Sequence, residues 1–376
     1  MPRKGKKTSK GGGQKGQVSL LPPSQQKGNL SDDDSMFDTE SVLSGGFSNM
    51  SSAGDEEEEQ CAEEIFEEKF CEALDDASGK SLSTRLNGLK FMCDSCGSKY
   101  TPDFISDRYM TILDVVERSI RKGKGAEQVA ACQLCLHLIL QLGASTEAEH
   151  VFTVMCPFLL ILVADPSGAP QARVAAASTL GLGAFFADRE QAHTQSILNA
   201  LQALFCQSYQ KGDGSLPSLP PALLALHTAA LDAWTLLVTL WIPERVLDLM
   251  DSKTGHHFLD LLSSPSVELR ISAGESLALL HEVIRQGDDA WELEDHEDLV
   301  HKLRELATDA SKFRGKRERK VQRSSFRDIL RTVEDGVSPK ETIKFGREKL
   351  HVDSWDKKVQ YEAICNVLGS GFDSSP

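Results

Sequence analysis

A frame consisting of a basic residue, a small residue three positions on and a large apolar residue seven positions on recurs along this chain. It fits Arg85-Gly88-Met92, Arg173-Ala176-Leu180 and Arg270-Ala273-Leu277. Two weaker copies, Val129-Cys132-Leu136 and Ala230-Ala233-Leu237, carry an apolar residue in the basic place. Successive starts stand 44, 44, 57 and 40 residues apart. Armadillo and HEAT repeats run at roughly 40 to 47 residues. The one long interval holds SYQKGDGSLPSLPP, Ser208 to Pro221, which has the composition of an inserted loop. Steps of three, four and seven place each frame on one face of a helix, ready to be buried. The expected fold is therefore all-α: an armadillo/HEAT-like helical repeat superhelix, each pair stacked on the next, with a concave face left for a partner.

The strongest copy lies in SPSVELRISAGESLALLHEVIR, Ser264 to Arg285, where Leu269, Ala273, Leu277, Leu280 and Ile284 form one apolar stripe. Ser264 is placed to cap the open amides and Pro265 suits the first helical position, which needs no donor. Gly274 in mid-helix costs about 1 kcal/mol against alanine, so close packing by another backbone is expected there. Arg270 is expected to serve packing between repeats or to meet an acidic partner in the next one.

Strand signatures are nearly absent, since no sustained alternation or Asn-Gly and Asp-Gly hairpin separates apolar runs. Nine cysteines, an odd number scattered through helical patterns, fit free thiols in a reducing compartment rather than a disulfide framework. The most apolar windows, Val151 to Ala164 and Ala229 to Ile242, are interrupted by Pro157 and Asp232 and fall short of a membrane span. No apolar stretch follows the N-terminal charges, so a signal peptide is not expected. These features predict a soluble, cytoplasmic protein with no membrane partner.

The net charge of −15 is distributed in blocks. Arg3, Lys4, Lys6, Lys7, Lys10, Lys15 and Lys27 have no acidic residue among them, whereas Asp32 to Asp34, Asp55 to Glu59 and Glu63 to Glu68 reverse the sign. Residues 1–62 are predicted to be a disordered basic-then-acidic tail whose halves screen each other or reach separate partners. Ser31, Ser35 and Ser41 stand beside acidic residues, where phosphorylation would deepen the negative block. Helical spacing begins near Glu63, giving a repeat domain over residues 63–310 and a basic helix with a C-terminal extension over 311–376.

No catalytic, cofactor-binding or metal-binding set can be assembled. The pairs Cys93/Cys96 and Cys132/Cys135 have zinc-like spacing, but Cys132 and Cys135 fall in a buried helical run, so structural thiols are the better reading. Gly79-Lys80-Ser81 lacks the leading glycine of a phosphate loop, position 74 being Leu. Gly274-Glu275-Ser276 lies inside a helix rather than at the strand-to-helix corner that a nucleophile elbow needs. His281-Glu282 meets Arg285 where a second zinc histidine would stand. Trp234 and Trp241 fall on apolar faces and read as core. An enzyme is not expected, nor a small-molecule substrate.

The segment from Ser311 to Gly336 differs in kind. Lys316, Lys320, Arg323, Arg327 and Arg331 form a basic stripe, with Phe326, Ile329 and Val333 on a separate apolar stripe. One face docks and the other seeks anions, phosphate backbones above all. A solvated face, or pairing with the acidic body or tail, is the alternative. Without interleaved aromatics, contacts to a structured RNA fit better than stacking on single-stranded bases.

Three strings carry a resemblance: GESLALL (Gly274 to Leu280), LATDASKFRGKRERKVQRSSFRDILRTVE (Leu306 to Glu334) and ETIKFG (Glu341 to Gly346). From about Lys80 to Gly371 the chain resembles the interferon-related developmental regulator family. That resemblance implies an armadillo-type fold and two activities. One is binding to translationally inactive ribosomes, repressing translation by occupying tRNA and mRNA sites. The other is nuclear transcriptional co-regulation through protein partners, for which MPRKGKK would act as an import signal. It also implies a binding string of Arg314, Lys316, Arg317, Arg319, Lys320, Arg323 and Arg327. Family members usually continue beyond the LGSG at Leu368 to Gly371, and the tail that threads the mRNA channel belongs to that continuation, whereas this chain stops at Pro376.

Overall fold

A computed structural model describes residues 53–250, 253–308 and 315–368. Residues 1–52, and with them Ser31, Ser35, Ser41 and most of the expected tail, lie outside the described residues. Helix starts earlier than the spacing at Glu63 predicts. The acidic run after Ala53 is already helical, as suits good helix formers whose carboxylates favour a helix N-terminus.

The chain then proceeds through α1 (Ala53–Ala77), α2 (Leu82–Ser98), α3 (Pro102–Ser106), α4 (Tyr109–Lys122), α5 (Ala126–Leu142), α6 (Thr146–Ala164), α7 (Pro170–Ala187) and α8 (Thr194–Phe205). After the long loop come α9 (Pro221–Val238), α10 (Pro243–Met250), α11 (Lys253–Leu261), α12 (Val267–Gly287), α13 (His296–Thr308) and α14 (Lys316–Asp335). A hairpin, β1 (Glu341–Phe345) and β2 (Glu348–Val352), and a last helix α15 (Trp355–Leu368) complete it. Gly54–Pro376 form one compact unit.

The five frames sit on α2, α5, α7, α9 and α12, which pack in that order as a ladder, with α14 as the next rung on α12. Every small and large residue of the frame is buried. The basic residue has a local task. Arg85 Nη1 donates to the carbonyl of Lys80 at 2.9 Å, Arg173 Nε to that of Val163 at 2.9 Å, and Arg270 Nη1 to that of Ser264. Each arginine thus bonds to a carbonyl upstream of its own helix, and at Arg173 and Arg270 that carbonyl is one which burial would otherwise leave unpaired. Arg85 also has an acidic partner in the next repeat, forking onto Glu127 at 2.6 and 2.9 Å. Arg270 reaches the neutral amide of Gln322 on α14 at 2.6 Å.

Two expectations for α12 are corrected. Its cap is Ser266 rather than Ser264, with Ser266 Oγ accepting from the Leu269 amide at 3.2 Å, because the helix begins only at Val267 and Ser264 Oγ accepts from the Ser266 amide at 3.3 Å. At Gly274 the close neighbours are side chains. A Cβ there would stand 2.8 Å from Ile329 Cδ1 and 2.9 Å from Phe326 Cε1 of α14. The missing methyl lets α14 seat its apolar stripe against α12.

The hairpin is a departure from the all-α pattern that strand signals did not reveal. Glycine supplies the positive φ, 55°, that a two-residue reversal at Gly346-Arg347 requires. Within its strands only Val352 is buried, so no apolar alternation marked it. Beyond it, α15 lies across the ladder: Val359, Ala363, Ile364 and Val367 cover Leu136 of α5, Leu182 of α7 and Leu236 of α9. Lys358 bridges Glu275 at 2.9 Å and Glu362 at 2.5 Å. Burial opposes its charge, yet the two carboxylates outweigh it and hold the ammonium above its ordinary pKa.

Helices α6 and α9, of 19 and 18 residues, are long and apolar enough to cross a membrane by length and composition, contrary to the expectation from interrupted windows. In this fold they pack against α7 and α8.

Two outcomes are expected of this packing. Gly274→Leu forces a branched side chain against Phe326 and Ile329 and lowers unfolding free energy by about 1–3 kcal/mol, measured by chemical denaturation; an unchanged midpoint would show that α14 does not seat on α12. The second concerns pH. Burial holds His227 and His281 at about 4, reinforced by Arg173 for the first and by Arg285 and His296 for the second. Both stay neutral in the fold, while the unfolded chain takes up protons from about pH 6.5 downward. Stability therefore falls between pH 6.5 and 4, by on the order of 3 kcal/mol per histidine. Denaturation midpoints across that window should flatten in His227→Gln/His281→Gln; a slope unchanged by the double substitution would remove these rings as its source.

Candidate nucleic-acid interface

Helix α14 is amphipathic in the way its spacing predicts. Gln322, Phe326, Ile329, Thr332 and Val333 are buried. Gly336, in the left-handed region at φ 67°, ends the helix with its amide on the Thr332 carbonyl at 3.0 Å, while Val337 bonds to Arg331. Docked on α12 and α13, the helix must turn its remaining faces outward.

Of the seven residues carried over as the binding string, Arg317, Lys320 and Arg327 are exposed. Arg319 and Arg323 are half-buried, and Arg323 Nε turns back onto the Arg319 carbonyl at 3.2 Å. Arg314 lies outside the described residues, and Lys316 begins the helix. Arg331, in the stripe but not the string, is also exposed. Among the described residues, Arg317, Lys320, Arg327 and Arg331 enter no ion pair, whereas Arg304 on α13 is engaged by Glu334. Pairing with the acidic body is therefore not how these four are neutralised. From Lys320 to Arg331 the cations run along about 16 Å of helix axis at 1.5 Å per residue, a length that can follow several phosphates.

The stripe continues past the helix. A cavity of about 450 Å³ is lined by Asp328 and Arg331 of α14, Val337 to Glu341, Val352 and Lys358. Lys340 thus shares a wall with Arg331 and leads into the hairpin. The base of this region hangs on Glu282 of α12, which the sequence offered only as part of a failed zinc motif. One of its oxygens accepts from the Ser338 hydroxyl and the other from the Trp355 amide at 2.8 Å. A carboxylate from a distant helix so completes the N-terminus of α15, where negative charge is favoured. Trp355, fully buried, donates its indole N–H to Thr332 Oγ1 at 2.7 Å.

The motifs set aside on sequence have structural tasks here. Burial pushes the Cys96 and Cys135 thiols up to about 12, and Cys93 and Cys132 are driven higher by burial together with the neighbouring thiol. They are neutral core side chains at the α2–α5 contact, and no metal-holding cluster of His, Cys, Asp or Glu occurs among the described residues. Gly79 and Lys80 offer carbonyls to Arg85. Ser276 is buried against Thr235 at 2.6 Å. The nearest approach to a nucleophile and base, Ser208 with His227 Nδ1 at 2.7 Å, is sealed at 3% and 1% exposure. Trp234 is core as expected, and Trp241 packs on it from the half-buried edge of the core, under the Arg245 guanidinium 3.8 Å from its ring centre.

Comparison with known proteins meets this picture. The family model described as interferon-related developmental regulator matches residues 39–334. The mouse protein named interferon-related developmental regulator 2 is 38% identical over 318 residues, covering 85% of this chain and 72% of that protein. The human protein named interferon-related developmental regulator 1 is 38% identical over 345 residues, covering 91% and 76%. Among solved structures, an engineered protein matches with a TM-score of 0.44 and 14% identity over 72% of this chain and 97% of its own. The relatives are named as regulators, without a catalytic name. Frame, ladder and the strings on α12 and α14 thus converge with the family model and the two named relatives: the chain belongs to the interferon-related developmental regulator family.

Proposed function

We propose that this protein binds ribosomes that carry no mRNA, through phosphate contacts to structured ribosomal RNA, and represses translation in the cytoplasm by occupying sites for tRNA. The observation that carries the reading is the row of exposed cations on α14 that enter no ion pair among the described residues, on a helix whose opposite side is locked into the ladder. Mobile surface charges on a flexible segment would order on binding and lose part of the gain. Here the backbone is already held, so phosphate neutralisation and counterion release drive association. Aromatic rings do not interleave with the cations, which favours backbone and shape over base readout.

A second reading, a nuclear co-regulator that holds protein partners, is favoured by a different surface. Asp232, Glu268, Glu275 and Glu362 line a cavity of about 370 Å³ between α9, α12 and α15. Lys358 already pairs with Glu275 and Glu362 there, and Asp232 is engaged by the Ser272 hydroxyl, so the exposed Glu268 is the carboxylate offered to a cationic protein segment.

On sucrose gradients at low salt the full chain should co-sediment with ribosomes stripped of mRNA and leave them as salt rises. Reversal of Lys316, Lys320, Arg323 and Arg327 to Glu should return it to the top of the gradient. If the parent chain already stays at the top at low salt, or the reversed chain still co-sediments, the ribosomal reading fails. The nuclear reading predicts nuclease-resistant protein partners and nuclear accumulation that depends on residues 1–10; a protein confined to the cytoplasm would count against it.

A further inference from the structure

Period-two geometry sorts the hairpin into two unlike faces. In its register Lys344 stands directly opposite Lys349 and Thr342 opposite His351, all four on one face. The other face holds Ile343 opposite Leu350, Phe345 opposite Glu348 and Glu341 opposite Val352. Both of the hairpin's carboxylates are therefore on the apolar side. The cationic face has none, and Arg347 in the turn extends it.

Like charges directly opposite one another work against strand pairing, and a two-stranded hairpin has little stability to spare. Lys344, Arg347 and Lys349 are exposed and enter no ion pair among the described residues. Internal packing does not account for the placement, since a glutamate at either lysine would strengthen the hairpin. The segment is also held at both ends: Ser338 before it and Trp355 after it bond to the two oxygens of Glu282. It is a finger with a fixed base and a positive face.

We infer that this hairpin is a second RNA-binding element, a cationic finger that grips the phosphate backbone of duplex RNA beside the α14 stripe. The inference rests on the RNA-binding reading of α14 and extends it to residues outside the basic string. Continuity supports it, since Arg331 of α14 and Lys340 at the foot of β1 line the same cavity. The chemistry of the face supports it too. A protein partner needs an apolar centre to its interface, and this face offers lysines, a threonine and a histidine without one. Single-stranded bases need aromatic platforms, and Phe345 is on the other side.

The test measures binding of the full chain to a labelled 20-base-pair duplex RNA as a function of salt. Lys349→Glu is the decisive variant, because it sets Glu opposite Lys344 and turns a repulsive pair into an attractive one. It should protect the hairpin amides better from hydrogen exchange while weakening RNA binding about tenfold, with a salt dependence shallower by about one phosphate contact. Lys344→Glu/Arg347→Glu/Lys349→Glu should weaken binding further. Unchanged affinity and salt slope in both variants, with binding lost when Lys320 and Arg327 are reversed, overturns the finger and leaves the α14 reading standing. That is also the outcome if the finger meets an acidic protein instead. Failure of the parent chain to bind the duplex overturns both.

Discussion

The contact between α12 and α14 is the constraint on which the functional end of the molecule depends. Gly274 opens a gap one methyl deep, and Phe326 and Ile329 fill it. Beside it Arg270, buried, divides its guanidinium between the Ser264 carbonyl and the Gln322 amide. Each donor met offsets part of the cost of burying a guanidinium, so these contacts specify the seat as well as fill it. Once α14 is seated, its axis and rotation are set, and the direction of its basic stripe follows.

The same helix carries the second support. Glu282 lies two turns beyond Gly274 on α12 and fastens both ends of the hairpin segment, so one rung positions the basic helix, the hairpin and the start of α15 together. Burial pushes the Glu282 carboxyl upward, while Ser338 and the amides at the head of α15 favour its charged form. The organising role of α12 is therefore mechanical. Its residues determine where the cations point. The cavity between α9, α12 and α15 shows the same economy, being formed by two rungs of the ladder and the helix that lies across it.

Much of this was legible in the residue order. The frame at Arg85, Arg173 and Arg270 marked the ladder helices, and the long interval marked the loop before α9, because helical burial imprints a period on neighbouring residues. The stripe on α14 was legible for the same reason. The hairpin was not, since a strand pair buried only at Val352 carries no alternation of apolar and polar residues for a reader to find. Glu282 was not either: it bonds to residues 56 and 73 positions away, and a single glutamate on a helix looks like any solvated acid.

Residue order by itself determined the helical rungs, their spacing and the segregation of charge on α14, all of them properties set within about two helical turns. Tertiary structure decided which cations enter no ion pair among the described residues, that Arg270 reaches the Gln322 amide of another rung, and that Lys344 and Lys349 share a face of a held hairpin. Those outcomes depend on how rungs some forty to fifty residues apart come to rest against one another. Side-chain volumes at a few close contacts, Gly274 first among them, set that geometry, and no local period records it.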